Sequence, residues 1–163
     1  MANPFGFAKV AENIKRVKEE VPQILAAKTR SYFLRSWKDQ GYDGKEWEEV
    51  QRRMEGTKAN KYAKPAARTR QILMGRAPGE LKKEVNDSLE QCDWNSIVFR
   101  VKLPYAKVHN EGLRSGRGGG FTMPQRQFMP IAGKGQPEEL TRIQHDLIKR
   151  ECDKAFKIGN TEI

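Results

Sequence analysis

Hydrophobic positions recur at three- and four-residue steps through the first quarter of the chain. Val10, Ile14, Val17, Val21, Ile24, Leu25, Phe33 and Trp37 follow a helical period, with Lys15, Arg16, Lys18, Glu19 and Glu20 opposite them. The pattern predicts a helix over 7–39. Pro22 lies inside it. A proline removes a backbone donor and crowds the preceding turn, so a kink or two abutting helices is expected there. "DQGYDG" (39–44) should stop the helix, and Trp47 follows as an apolar anchor.

The pattern then lapses. Residues 52–70, "RRMEGTKANKYAKPAARTR", carry seven basic residues and one acid, with almost no large apolar side chain. Such a stretch predicts an extended basic connector rather than a core element. Apolar positions return at Ile72, Leu73, Leu81 and Val85, with Pro78-Gly79 marking a turn before a short helix over 80–85. Alternation takes over in "SLEQCDW" (88–94) and "SIVFRVKL" (96–103). Ile97, Phe99, Val101 and Leu103 alternate with Val98, Arg100 and Lys102, the period of a half-buried strand, and "DWNS" makes the turn.

"PYAKVHNEG" (104–112) has the grammar of a helix: Pro104 in its first turn, Lys107 and Glu111 four apart, and Gly112 as its C-cap. Tyr105, Val108 and His109 would share a face. "LRSGRGGGFT" reads as a loop flanked by strand-formers, and "MPQRQFM" as an extended piece. "PEELTRIQHDLIKRECDKAFKI" (137–158) predicts an amphipathic helix with Leu140, Ile143, Leu147, Ile148, Cys152 and Phe156 inward. Glu138 and Glu139 suit its positive N-terminal end. The expected fold is α+β in a single domain over 1–163. A helical part (7–50) is followed by the extended basic connector (51–71). An α+β core (72–158) comes next, where a small antiparallel β-meander with a short helix carries loop 113–122 and the C-terminal helix closes the chain.

Composition narrows the function. Hydrophobic residues make up 37% and charged residues 32%, which favours a small core and large solvated faces. The net charge of +10 favours polyanions or acidic protein surfaces as partners. Two cysteines are too few for a disulfide framework, so reduced thiols are expected. "MANPFGFAKVAENIKRVKEE" lacks the apolar core of a signal peptide, and no apolar run approaches the roughly 20 residues of a membrane span. Synthesis in the cytoplasm and no membrane partner are therefore expected.

Candidate chemistry is sparse. Cys92 and His109 could in principle form a nucleophilic pair, but His109 and Glu111 point to different faces of a short helix, so no orienting carboxylate is at hand. Cys92, His109, His145 and Cys152 show none of the close ligand pairs of a zinc site. "SGRGGGF" lacks the Lys-Ser/Thr ending of a phosphate loop and does not open a helix. No catalytic residue, metal, cofactor or small-molecule substrate is expected, and the chain does not read as an enzyme.

The strip Arg52, Arg53, Lys58, Lys61, Lys64, Arg68 and Arg70 could give salt-sensitive affinity for nucleic acid. Only Tyr62 offers a stacking ring within it. In "MPQRQF", Pro124, Arg126 and Phe128 share one face of an extended chain. Phe128 would enter an apolar pocket, while Arg126 would bind a carboxylate or grip backbone carbonyls. This segment either pins the loop within the chain or forms a contact between subunits.

The order "YAKVHNEG", glycine-rich insertion, "MPQRQFM" resembles the virion morphogenesis or tail-completion proteins of tailed bacteriophages, the group that includes the Mu virion morphogenesis protein. The matching positions are Tyr105, Ala106, His109, Asn110 and Gly112, then Pro124, Arg126 and Phe128. "FLRSWKDQGYDGKEW" (33–47) and "ILMGRAPGELKKEV" (72–85) are similar to the family's flanking segments. The resemblance implies a small α+β subunit that forms a homo-oligomeric ring at the head–tail junction or tail end of the virion. It implies assembly in the bacterial host cytoplasm, with no enzymatic activity and no cofactor. The implied partners are copies of itself, neck, portal-side or tail proteins, and genomic DNA contacted non-specifically in the lumen. On that view Tyr105 and Phe128 anchor the meander, and His109 and Arg126 hold the loop and a neighbouring subunit. Arg114 and Arg117 face an interface or the lumen, and the 52–70 strip meets DNA or an adjacent protein. The alternative is a free, non-specific nucleic-acid-binding protein that uses the same strip.

Overall fold

A computed structural model describes residues 7–75, 79–118 and 120–157. In chain order they form α1 (Phe7–Asp39), β1 (Gly41–Tyr42), β2 (Lys45–Glu46), α2 (Lys58–Tyr62), α3 (Pro65–Thr69), α4 (Glu80–Asn86), β3 (Leu89–Cys92), β4 (Ile97–Phe99), α5 (Pro104–Glu111), β5 (Arg114–Ser115), β6 (Phe121–Thr122) and α6 (Glu138–Lys157). The class is the expected mixture of long N-terminal helix, antiparallel strand pairs and C-terminal helix. The long helix runs uninterrupted through Pro22, so the proline does not divide it in two. The turn expected at Pro78-Gly79 begins outside the described residues, as does the last predicted position of α6, residue 158.

The chain divides into two compact units. One takes the residues up to Ser31, Leu89–Phe99, and those from Pro137 on; the other takes Tyr32–Ser88 and Arg100–Gln136.

In the first unit, Val21 and Ala26 of α1 and Leu140, Leu147 and Ala155 of α6 are buried. Polar side chains tie the two helices together. Asn13 Nδ2 donates to the Ala155 carbonyl at 3.0 Å, and Gln144 Nε2 donates to Thr29 Oγ1 at 3.0 Å. The inward stripe of α6 differs from the predicted one: Ile148 and Phe156 are exposed, and Ala155 is buried. Asn13 reaches the backbone at Ala155, an approach that a small side chain permits.

The β3–β4 hairpin pairs Cys92 with Ile97, Gln91 with Val98 and Leu89 with Phe99, with a bulge between Leu89 and Gln91. Its turn is the expected "DWNS". Asp93 Oδ1 accepts from the Asn95 and Ser96 amides at 2.8 and 3.0 Å, an Asx-type turn. A bond from Gln91 Nε2, and then these two, hold the Asp93 carboxyl below its ordinary range.

The second unit is built on aromatic rings. Trp37 and Phe128 are almost fully buried, with centroids 5.3 Å apart, and Trp47 meets Trp37 edge-on at 5.8 Å. Phe33, Ile72, Leu81, Val85, Ala106 and Ile131 complete this core. After α1, Asp43 and Gly44 both take positive φ, the two-residue turn whose twist suits a tight hairpin. Gln40 fastens that corner. Its Nε2 donates to the Trp37 carbonyl at 2.8 Å, and its Oε1 accepts the Ile72 amide at 2.9 Å.

Two expectations need correction. The strand pairs do not form one meander: β1–β2, β3–β4 and β5–β6 are three separate two-stranded ribbons among the described residues. β4 ends at Phe99, short of the predicted Leu103, and β5 and β6 have two residues each, too short to extend a common sheet. Nor is the basic segment extended throughout. Thr57 caps α2 by accepting the Asn60 amide at 3.1 Å, and Pro65 opens α3. The Arg52 guanidinium gathers the segment by donating to the carbonyls of Ala67 (2.9 Å), Arg70 (3.0 Å) and Gln71 (3.1 Å).

Candidate functional site

The residues singled out around "YAKVHNEG" and "MPQRQFM" converge on α5. Pro104 occupies its first turn, and Gly112 closes it at φ 69°. Ala106 and Asn110, four apart, form its buried edge. A buried asparagine must find partners, and Asn110 finds three. Its Oδ1 accepts the amides of Phe128 (2.9 Å) and Met129 (3.2 Å), and its Nδ2 donates to the Met129 carbonyl (3.2 Å). One side chain thus satisfies an extended segment that pairs with no strand among the described residues.

Neighbouring bonds fix the same segment. The Arg126 amide donates to the His109 carbonyl at 2.8 Å, and Gln125 Nε2 donates to the Asn110 carbonyl at 3.2 Å. Arg126 itself is buried. Its Nε and Nη2 both donate to the Glu48 carbonyl, at 3.1 and 3.0 Å. The Trp47 indole donates to the Gln127 carbonyl at 2.7 Å. Of the two roles foreseen for Arg126, the structure places it on a backbone carbonyl. Phe128 enters the aromatic core as expected, so the Pro-x-Arg-x-Phe stretch pins its loop within the chain.

The loop is a β-hairpin. Arg114 pairs with Thr122 and Ser115 with Phe121, and below them the Met123 amide donates to the Leu113 carbonyl at 3.0 Å. Gly112 sits where the hairpin leaves α5. A Cβ there would lie 2.9 Å from Gln125 Cβ, so only glycine suits both the conformation and the space. Beyond this root the hairpin is open to solvent: Arg114, Arg117 and Phe121 are exposed, Phe121 by 58%.

His109 is half-buried. Burial, with the nearby Arg126 charge, holds its imidazole below the usual range, so it is neutral at neutral pH. Tyr105 meets it edge-on at 6.2 Å. Tyr105 is tied to a neighbouring helix. It is partly exposed, and its hydroxyl donates to Glu80 Oε2 at 2.8 Å, joining α5 to α4. Burial and that carboxylate push its phenol up to about 12. Cys92 lies in β3 of the other unit, and burial raises its thiol, which opposes a thiolate role. Among the described residues there is no group of three or more His, Cys, Asp or Glu able to hold a metal ion, and no helix long and apolar enough to cross a membrane.

The basic strip is split by geometry. Arg52 is spent on carbonyls. Arg68 donates to the carbonyls of Ala63 (3.1 Å) and Lys61 (3.4 Å), and Arg53 pairs with Glu49 at 3.6 Å. Lys58, Lys61 and Lys64 are exposed, and Arg70 is half-buried. Asn110, a matching position of the motif to which the sequence attached no role, is the hub, and the Glu48 carbonyl is an acceptor the sequence did not single out. A polar residue on the buried edge of α5 was the available sign of the first.

The arrangement defines a class: a small α+β scaffold that presents a basic, glycine-rich hairpin from a hydrogen-bonded frame. In comparisons with protein-family models, curated proteins and solved structures, nothing matches this chain.

Proposed function

We propose that the protein is a structural component of a tailed-phage virion, a neck or tail-completion subunit that assembles as a ring through the 114–122 hairpin. One observation carries this reading. The two motifs that resemble the phage family, Tyr105–Gly112 and Pro124–Phe128, are bonded to each other through Asn110, His109 and Arg126, and together they hold out a hairpin whose basic and aromatic side chains meet solvent. Recognition loops carried on rigid scaffolds commonly have this form. The partners are copies of the chain and adjoining neck, portal-side or tail proteins, and the location is the virion.

The test is complementation with Arg117→Glu combined with Phe121→Ser, both outside the frame. The variant should fold, yet leave heads and tails unjoined. Normal infectious particles would sink the assignment.

A second reading, non-specific nucleic-acid binding, is favoured by one feature. Tyr62 is 74% exposed on α2 among Lys58, Lys61 and Lys64, a ring and charges available together. Under this reading the isolated protein binds single-stranded DNA, with an affinity that falls steeply with salt. Tyr62→Ala would then weaken binding while leaving the salt slope in place. Salt-independent or absent binding excludes it.

A further inference from the structure

A cavity of about 310 Å³ lies within the second unit, beside the frame. That is at the small end of the roughly 300–1,000 Å³ found for ligand pockets. Its wall combines apolar Ile72, Leu73 and Leu81 with the guanidinium-bearing Arg52, Arg70 and Arg126. His109, Tyr105 and Glu80 also face it.

Three guanidinium-bearing side chains gather around one small cavity. Burial, then the charges of Arg70 and Arg53, make Arg52 harder to protonate than usual, with Glu49 acting in the other direction and Arg126 adding least. Such a cluster is costly unless an anion joins it. Glu48 and Glu49 offset part of that cost by favouring the charged Arg126, and Glu80 Oε2 already accepts from Tyr105. Two polar atoms of the lining, Arg70 Nε and His109 Nδ1, are buried and lack a hydrogen-bond partner among the described residues. Buried donors normally have one. Leu73 holds φ at 58°, a left-handed conformation uncommon for leucine and frequent at binding sites.

We propose that this cavity binds the phosphate group of a small phosphorylated ligand, with Arg70 and His109 as direct donors and Leu73 and Tyr105 flanking the rest of the molecule. Arg52 and Arg126 supply positive charge from side chains already fixed on carbonyls, so little ordering is needed on binding. A planar guanidinium suits an oxyanion with several acceptors. The proposal does not depend on the assembly reading, since the cavity lies apart from the exposed hairpin residues Arg117 and Phe121.

The test uses the whole chain and inorganic phosphate, followed by NMR of the arginine Nε–H and histidine ring signals. Phosphate should bind saturably, shift Arg70 and His109 selectively, and raise the titration midpoint of His109. Arg70→Gln should weaken binding by about tenfold or more, the effect of losing one charged hydrogen bond. Because the buried Arg70 Nε has no hydrogen-bond partner among the described residues, this variant should remain folded, as circular dichroism would verify. Lys64→Gln, on the exposed strip, should bind like the parent. The proposal is overturned if chloride at equal ionic strength reproduces the shifts, or if Arg70→Gln binds unchanged. Tighter binding of acetate than of phosphate would overturn the choice of phosphate.

Discussion

Replacing Asn110 by alanine tests the frame directly. The change deletes both acceptor bonds to the amides of Phe128 and Met129 and the donor bond to the Met129 carbonyl. A typical hydrogen bond contributes about 0.5–1.5 kcal/mol net, and a buried group left unsatisfied costs about 1–3 kcal/mol. The Phe128 amide is the buried one. The combined loss is about 3 kcal/mol, which at ~1.4 kcal/mol per factor of ten is roughly a hundredfold in the local opening equilibrium. Amide hydrogen exchange reads this residue by residue: Phe128 and Met129 should exchange roughly a hundredfold faster, along with the hairpin they support. Asn110→Asp keeps an acceptor for both amides but loses the donor, so it should recover part of the protection. The reasoning fails if alanine changes exchange at these positions by less than about threefold, or if aspartate is no better than alanine.

Gly112→Ala combines a left-handed residue with a Cβ pressed 2.9 Å from Gln125 Cβ, and should cost about 2–3 kcal/mol in urea unfolding. Phe128→Ala empties a fully buried ring site beside Trp37, and should cost about 3–5 kcal/mol by the same measurement. The folded His109 titrates below its ordinary value, so the unfolded chain takes up its proton first on acidification. Its contribution is therefore fully present above about pH 6.5 and is lost as pH falls toward the depressed folded value. The urea midpoint should drop between pH 7 and pH 5, and His109→Gln should flatten that part of the profile. An identical slope in the variant would show that other groups carry it.

Local signals were legible wherever their cause is local. Pro104 and Gly112 bracket α5 because one pre-sets the first turn and the other tolerates the left-handed cap. Asp93 and the residues after it form their own turn, so "DWNS" could be read without knowing what surrounds it. The inward face of α6 was less legible. Leucine, isoleucine and phenylalanine at helical steps are compatible with more than one face, and the choice of Ala155 over Phe156 depends on Asn13, well over a hundred positions away. The bonding of Arg52 is illegible for a similar reason. In a basic run an arginine looks like solvated charge, but its fork fits three carbonyls that come together only after α3 has formed. The separate ribbons follow from the short strands: α5 falls between β4 and β5 in the chain, and two-residue β5 and β6 offer too few ladder bonds to build a wider sheet.

The same contrast bears on how the hairpin can work. Its root is held by buried or half-buried bonds from Asn110, Arg126, Gln125 and Trp47, whereas Arg117 and Phe121 near its tip lie largely in water. Opening free energies differ between such regions: the root opens with its unit, while the tip can rearrange without it. A partner that binds the tip therefore needs to offset only the ordering of a few residues, because the root already sets where the hairpin leaves α5. Frame substitutions such as Asn110→Ala and Gly112→Ala should alter unfolding and exchange, and through them any contact the hairpin makes. Tip substitutions such as Arg117→Glu should leave exchange at Phe128 unchanged and, under the proposed assembly role, affect only association. If a tip variant instead loosened Phe128, root and tip would be one cooperative piece, and the hairpin would belong to the core rather than to an interface.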